Sequence, residues 1–195
     1  MSNPADRYEL QSVLGQGGFA NVWRAYDKKL QRYVAIKVLE PGAENTSSVL
    51  DHATALTKVN HPNVVTVHTV DPVIDPETGA VVEGIVMELV DGEPLADVLK
   101  APFSRLRAQE IGISIIEGLE AIHSVGAVHS DLHDENILIS KEKIKIIDIL
   151  YRYSLAQLRT SLQKGKFQRD VVELYSLLYS ILAAADCEKK ALVEC

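Results

Sequence analysis

One amine and three oxygen-bearing side chains follow each other in a fixed order along the chain. Lys37 ends Val34-Ala35-Ile36-Lys37, Asp131 and Asn136 lie within His129-Ser130-Asp131-Leu132-His133-Asp134-Glu135-Asn136, and Asp148 comes twelve residues after Asn136. Phosphoryl transfer from ATP needs these groups: a cation against the phosphates, oxygen ligands for Mg²⁺, and a carboxylate facing the acceptor hydroxyl. An Asp-x-x-x-x-Asn on its own is equally well explained as a solvated turn, because short loops rich in Asp and Asn are common turn formers. Order and context make the set read as an ATP site.

The elements that must hold these groups can be traced in the pattern. Tyr8 to Leu14 is strand-like, runs into Gly15-Gln16-Gly17-Gly18-Phe19-Ala20, and leaves through Asn21-Val22-Trp23-Arg24-Ala25-Tyr26, which gives strand, glycine loop, strand. Glycines let backbone N–H groups approach phosphate oxygens with no Cβ in the way, although a plain hairpin turn would use them equally well. A dinucleotide-binding loop would run into a helix. Here a third strand follows, Arg32 to Leu39, with Lys37 among apolar neighbours. A lysine in a buried strand needs an anion, which phosphate supplies. Further on, Ile111, Ile115, Leu119 and Ile122 recur at spacings of three and four and predict an amphipathic helix over 105–124. The apolar run Ile144-Lys145-Ile146-Ile147 predicts a strand ending at Asp148.

Composition bounds the remainder. The 195 residues carry a formal net charge of -7 with 47% hydrophobic side chains, which predicts one globular unit or two small lobes sharing a cleft. An acidic chain with only short Lys/Arg groupings argues against nucleic-acid binding. Met1 to Asp6 lacks the basic and apolar regions of a signal peptide, and no apolar run reaches the roughly 18 residues of a spanning helix, so the expectation is a cytoplasmic protein with no membrane role. Cys187 and Cys195 stand apart from any His or further Cys and read as free thiols.

Several motifs together resemble the protein-kinase superfamily, particularly bacterial Ser/Thr kinases similar to eukaryotic ones. Gly15-x-Gly17-x-x-Ala20-x-Val22 is similar to the kinase glycine-rich loop, Val-Ala-Ile-Lys to its third strand, and His61-Pro62-Asn63-Val64-Val65 to the approach to strand four. The resemblance implies an α+β, bilobal fold. Residues 1–90 would form a five-stranded antiparallel N-lobe with one helix, a hinge would lie at 87–91, and residues 91–195 would form a shortened, mainly helical C-lobe. It implies that Leu14, Gly15, Gly17, Gly18, Val22, Ala35, Lys37, Met87, Glu88, Val90 and Leu138 surround the nucleotide. Asn136 and Asp148 would ligate Mg²⁺, while Asp131 and Lys37 would be the catalytic pair. Asp170 would brace the backbone of His129 to Asp131.

The chain also departs from that pattern. His52 stands where the glutamate partner of the strand-three lysine is expected, with Asp51 and Glu44 as uncertain substitutes, so either an inactive helix-out state or a Lys37–Asp148 pair without nucleotide is expected. Ser130 replaces the arginine that receives a phosphorylated activation loop. His133 replaces a lysine and is similar to small-molecule phosphotransferases. Ile149-Leu150 replaces Phe-Gly: Ile149 can pack, but Leu150 loses glycine's freedom. Only 22 residues separate Asp148 from Asp170, with no Ala-Pro-Glu motif between them, and the sequence stops at Cys195. Residues 71–80 are expected as turn chemistry within an extended hairpin, Tyr153 to Lys164 as a short helix, and the apolar face of residues 171–185 as an exposed interface for a second copy or a partner. The expected function is a minimal Mg²⁺·ATP Ser/Thr protein kinase acting on itself or a partner protein. The alternatives are a nucleotide-binding pseudokinase and a small-molecule hydroxyl phosphotransferase.

Overall fold

The computed structural model describes residues 4–16, 20–39, 53–54, 56–149 and 160–193. Five strands, β1 (Tyr8–Gln16), β2 (Ala20–Asp27), β3 (Arg32–Leu39), β4 (Val67–Ile74) and β5 (Val81–Glu88), form a sheet of order β1-β2-β3-β5-β4. All its pairings are antiparallel, and the short connections β1–β2, β2–β3 and β4–β5 join hairpin neighbours. After it come β6 (Glu93–Pro94), α1 (Leu95–Val98), α2 (Arg105–Ser124), β7 (Ile137–Ile139), β8 (Ile144–Ile146) and α3 (Thr160–Val193). Strands β6, β7 and β8 make a second, three-stranded antiparallel sheet.

Two boundaries differ from the sequence expectation. Strand β1 continues through Gly15 and Gln16, because these pair with Val22 and Asn21 beyond a bulge. Asp71-Pro72 lies inside β4 rather than in the turn, which narrows to residues 75–80. Strand β4 is a sheet edge, where proline's missing N–H leaves no ladder bond unmade.

The two faces of the large sheet bury different clusters. Tyr8, Ala25, Val34, Ile36, Val38, Val73 and Val86 close one face. From the other, Ala35, Ile85 and Met87 join a core that continues through Leu56, Val64 and Val65 into α2 and α3. Helix α2 contributes Ile111, Ile115, Leu119 and Ile122, all buried as the spacing predicts, and begins at a Ser104 cap that accepts the Arg107 N–H. At Gly118 a Cβ would stand 2.8 Å from Ile146 and 3.0 Å from the Asn63 carbonyl, so α2 approaches this strand as only glycine allows.

Behind the cleft, residues 63–65 run beside β8. The Val65 N–H donates to the Ile146 carbonyl at 2.9 Å, the Ile146 N–H to Asn63 at 2.8 Å, and the Asn63 amide to Ile144 at 2.9 Å. The part of the expected short helix that falls among the described residues, from Thr160, is the beginning of α3, and Tyr153 to Arg159 lie outside them. Helix α3 buries Leu177, Ile181 and Ala185 while Val172, Tyr175, Tyr179 and Leu182 remain exposed, which leaves an apolar stripe. Among the described residues no helix is long and apolar enough to cross a membrane.

Candidate active site

Lys37 projects from β3 opposite Val22 of β2 and Ile85 of β5, and Ala35 lies opposite Met87, so these side chains share one face of the sheet. A strand flanked on both sides has little freedom, which fixes the root of Lys37. Its Nζ donates to Asp148 Oδ1, closing an ion pair across 111 residues, with Lys37 mostly buried and Asp148 41% exposed. The lysine therefore has its anion in the chain itself, as expected without nucleotide. His52, Asp51 and Glu44 lie outside the described residues.

The loop carrying Asp131 hangs from α3. Asp170, fully buried, accepts the N–H of His129 at 2.8 Å, the N–H of Ser130 at 2.6 Å and a bond with His123 Nε2 at 2.8 Å. Burial opposes its ionisation, but these bonds outweigh it and hold its carboxyl below the usual range. The brace expected from the sequence is present. Glu173, one turn on, accepts the Leu132 N–H at 2.9 Å and is itself held by Arg169 at 2.6 Å.

His129 is buried and sits between the loop and the segment that follows β8. Its Nε2 lies 2.9 Å from the Ile147 carbonyl and its Nδ1 receives the Asp131 N–H at 3.4 Å. A carbonyl can only accept and an amide N–H can only donate, so the ring is neutral with its proton on Nε2. Burial pushes its pKa below the ordinary 6.5. Below about pH 6.5 the unfolded chain therefore takes a proton that the folded chain refuses. Stability is complete above that pH and falls beneath it by up to about 1.4 kcal/mol per pH unit. Urea unfolding should show lower stability at pH 5.5 than at pH 7.5, and equal stability at the two pH values would contradict the assignment.

Ser130 has φ +66° and its buried Oγ has no hydrogen-bond partner among the described residues. A left-handed backbone and an orphaned hydroxyl both oppose the fold. Ser130→Gly removes both, offset in part by glycine's greater freedom when unfolded, and should raise stability by about 1 kcal/mol. Thermal denaturation should show a melting point about 2–4 °C higher, and a lower value would mean that the hydroxyl is held in solution.

Asn136 has both amide hydrogens engaged, one by the Asp131 carbonyl at 3.0 Å and one by His133 Nε2 at 3.0 Å. Its Oδ1 accepts no hydrogen bond among the described residues, and its own carbonyl accepts the Ile147 N–H at 2.9 Å, one residue before Asp148. Asp148 has φ +57°, which turns its carboxylate back toward Lys37. An amide oxygen and a carboxylate on adjoining segments suit a hard cation such as Mg²⁺ that keeps water and phosphate oxygens for its other positions. Among the described residues no group of three His, Cys, Asp or Glu side chains could hold a metal by protein ligands alone. Asp131 has a 69% exposed side chain.

The remaining expected residues are distributed as follows. Leu14 and Gly15 are exposed on β1 and Val22 is half-buried on β2, while Gly17 and Gly18 lie outside the described residues. Met87 is 7% exposed, Val90 and Leu138 are half-buried, and Ile149 is packed in the core as expected; Leu150 is not among the described residues. Glu88 has its side chain donated to by Lys145 Nζ at 2.6 Å with Lys143 at 3.8 Å, and its backbone N–H donates to the Thr66 carbonyl at 2.8 Å. Lys145 also donates to the Val64 carbonyl at 3.1 Å. Sequence reasoning missed this pair, as well as Glu173 and His123. Lys145 could have been found by the argument applied to Lys37, since it too is a lysine inside an apolar strand.

A family model described as protein kinase domain matches residues 8–158. A probable serine/threonine-protein kinase of Clostridium perfringens is 35% identical over 152 residues, covering 73% of this chain and 21% of that protein. The serine/threonine-protein kinase PksC of Streptomyces coelicolor is 36% identical over 153 residues, covering 73% and 27%. The serine/threonine-protein kinase PknB of Mycolicibacterium smegmatis is 36% identical over 159 residues, covering 78% and 25%. The chain thus spans about a fifth to a quarter of the length of these relatives.

Proposed function

The chain belongs to the protein kinase family, and on that premise we propose that it is a Mg²⁺·ATP-dependent phosphotransferase acting on Ser/Thr hydroxyls of a protein, either its own or a partner's. The observation that carries this reading is the convergence of Lys37 and Asp148 in one ion pair beside a braced loop that offers the Asp131 carboxylate and the Asn136 Oδ1. In the two-lobed reading, residues 1–90 and 91–195 face each other across a hinge at 87–91. Lys37 leaves Asp148 for the α/β-phosphates when nucleotide enters, and the β1–β2 backbone covers them. Ala35, Val22, Met87 and Leu138 enclose the base, and the backbone of Glu88 to Val90 reads its edge. Mg²⁺, held by Asn136 and Asp148, supplies charge neutralisation on the phosphates when bound. Asp131 orients the acceptor hydroxyl and takes its proton, and the positioning of the reacting groups supplies most of the acceleration.

The test is incubation with Mg²⁺·ATP followed by mass spectrometry of the protein and of added acceptor proteins. A phosphorylated Ser or Thr supports the reading. Thermal stabilisation by nucleotide with no phosphate transferred to any hydroxyl supports instead a nucleotide-responsive binding module, the reading favoured by a Lys37 whose anion is the metal-side Asp148. Transfer only to small hydroxyl compounds would support the reading suggested by His133. The same proposal places the protein in the cytoplasm and assigns the Val172, Tyr175, Tyr179 and Leu182 stripe to a second copy or a partner, which sedimentation at micromolar concentration would detect as a heavier species.

A further inference from the structure

His133 lies between the two working side chains of its loop, with Nε2 3.0 Å from Asn136 Nδ2 and 3.5 Å from Asp131 Oδ2. Only the first of these is a hydrogen bond. The amide nitrogen is fixed as the donor by its other bond, to the Asp131 carbonyl, since a flipped amide would set two acceptors against each other there. The imidazole therefore accepts through Nε2. The second amide hydrogen is consumed, and among the described residues the side-chain oxygen of Asn136 is left without a hydrogen bond.

We propose that His133 is a positioning residue that locks the Asn136 amide with Oδ1 presented to the metal. The inference rests on the phosphotransferase reading, in which Asn136 is a metal ligand. Rotating the amide by 180° would set its oxygen against the Asp131 carbonyl and would oblige the imidazole to move its proton from Nδ1, which lies 4.0 Å from Asp134 Oδ1, to Nε2, so a His133 that keeps its Nδ1 proton adds to the preference for the ligating orientation that the Asp131 carbonyl provides. A lysine at this place, which has only donors, could not accept from the amide.

The measurement is Mn²⁺ binding to the protein with ADP, followed by the electron paramagnetic resonance signal of free Mn²⁺, which needs no turnover. The His133 side chain is 44% exposed, so its replacement leaves the fold intact, and melting curves of each variant check this. His133→Ala and His133→Lys should weaken Mn²⁺ binding about threefold to tenfold, the net worth of one hydrogen bond. His133→Gln, whose Oε1 can accept, should stay within about twofold of wild type. Equal binding by wild type, His133→Ala and His133→Lys would overturn the positioning role while leaving the metal site in place. Equal weakening in His133→Gln and His133→Ala would overturn the hydrogen bond as its cause. Failure of the wild type to bind Mn²⁺ with ADP would overturn the metal site and, with it, this inference.

Discussion

Phosphate transfer by Asp131→Asn is expected to fall by about two to four orders of magnitude relative to wild type, the range in which a positioned proton acceptor contributes. The substitution keeps the size and shape of the side chain and removes only its charge and basicity. Asp131 is 69% exposed and its carboxylate makes no hydrogen bond among the described residues, so the melting temperature should change by no more than about 1 °C. The KM for ATP should change little, because no nucleotide contact is assigned to this residue. Initial rates of label incorporation from γ-labelled ATP, measured alongside thermal denaturation, test both halves. Equal incorporation by the two proteins would remove Asp131 from the chemistry, and a loss of activity with a large drop in melting temperature would recast it as structural.

Asp170→Ala should have the largest effect on stability, a loss of about 3–5 kcal/mol. Asp170 is fully buried and accepts from two backbone N–H groups and from His123, so truncation leaves donors without partners. An unsatisfied buried donor opposes folding by about 1–3 kcal/mol. Ser130 is also held in a left-handed conformation that depends on the bond from its N–H. Set against the roughly 5–15 kcal/mol by which domains are stable, such a loss leaves little in reserve. Denaturant titration should show the midpoint of Asp170→Ala far below wild type, with Asp170→Asn between the two because it keeps one acceptor oxygen. A midpoint within experimental error of wild type would mean that the brace contributes nothing. Because Asp170 holds the loop that carries Asp131, transfer should fail in Asp170→Ala even at temperatures where the variant remains folded.

Most of the sheet and the long α2 could be read from the sequence because both are written in periodicity. Arg32–Leu39 and Arg105–Ser124 have the bounds that their patterns imply. The Asp170 brace was legible only through the resemblance, since Asp170 lies ten residues inside α3 and not at its head. The Pro72 strand was not, since a proline signals a turn locally and only the sheet order reveals that β4 is an edge. The Glu88–Lys145 pair and the acceptance of Leu132 N–H by Glu173 were equally hidden. Each joins residues far apart in the chain, and a glutamate in a hinge or on a helix gives no local sign of a distant partner. The His133–Asn136 bond lies within one short loop, but it depends on a backbone turn that composition does not specify.

The strip of bonds between residues 63–65 and β8, with Lys145 clamped on Glu88 beside it, has a mechanical meaning. The rear of the cleft is a seam of several bonds, whereas at its front Lys37 and Asp148 meet in a single ion pair. Should that pair part, the seam would remain the stronger tie between the two sheets, and Asp148, two residues beyond β8, would stay close to it.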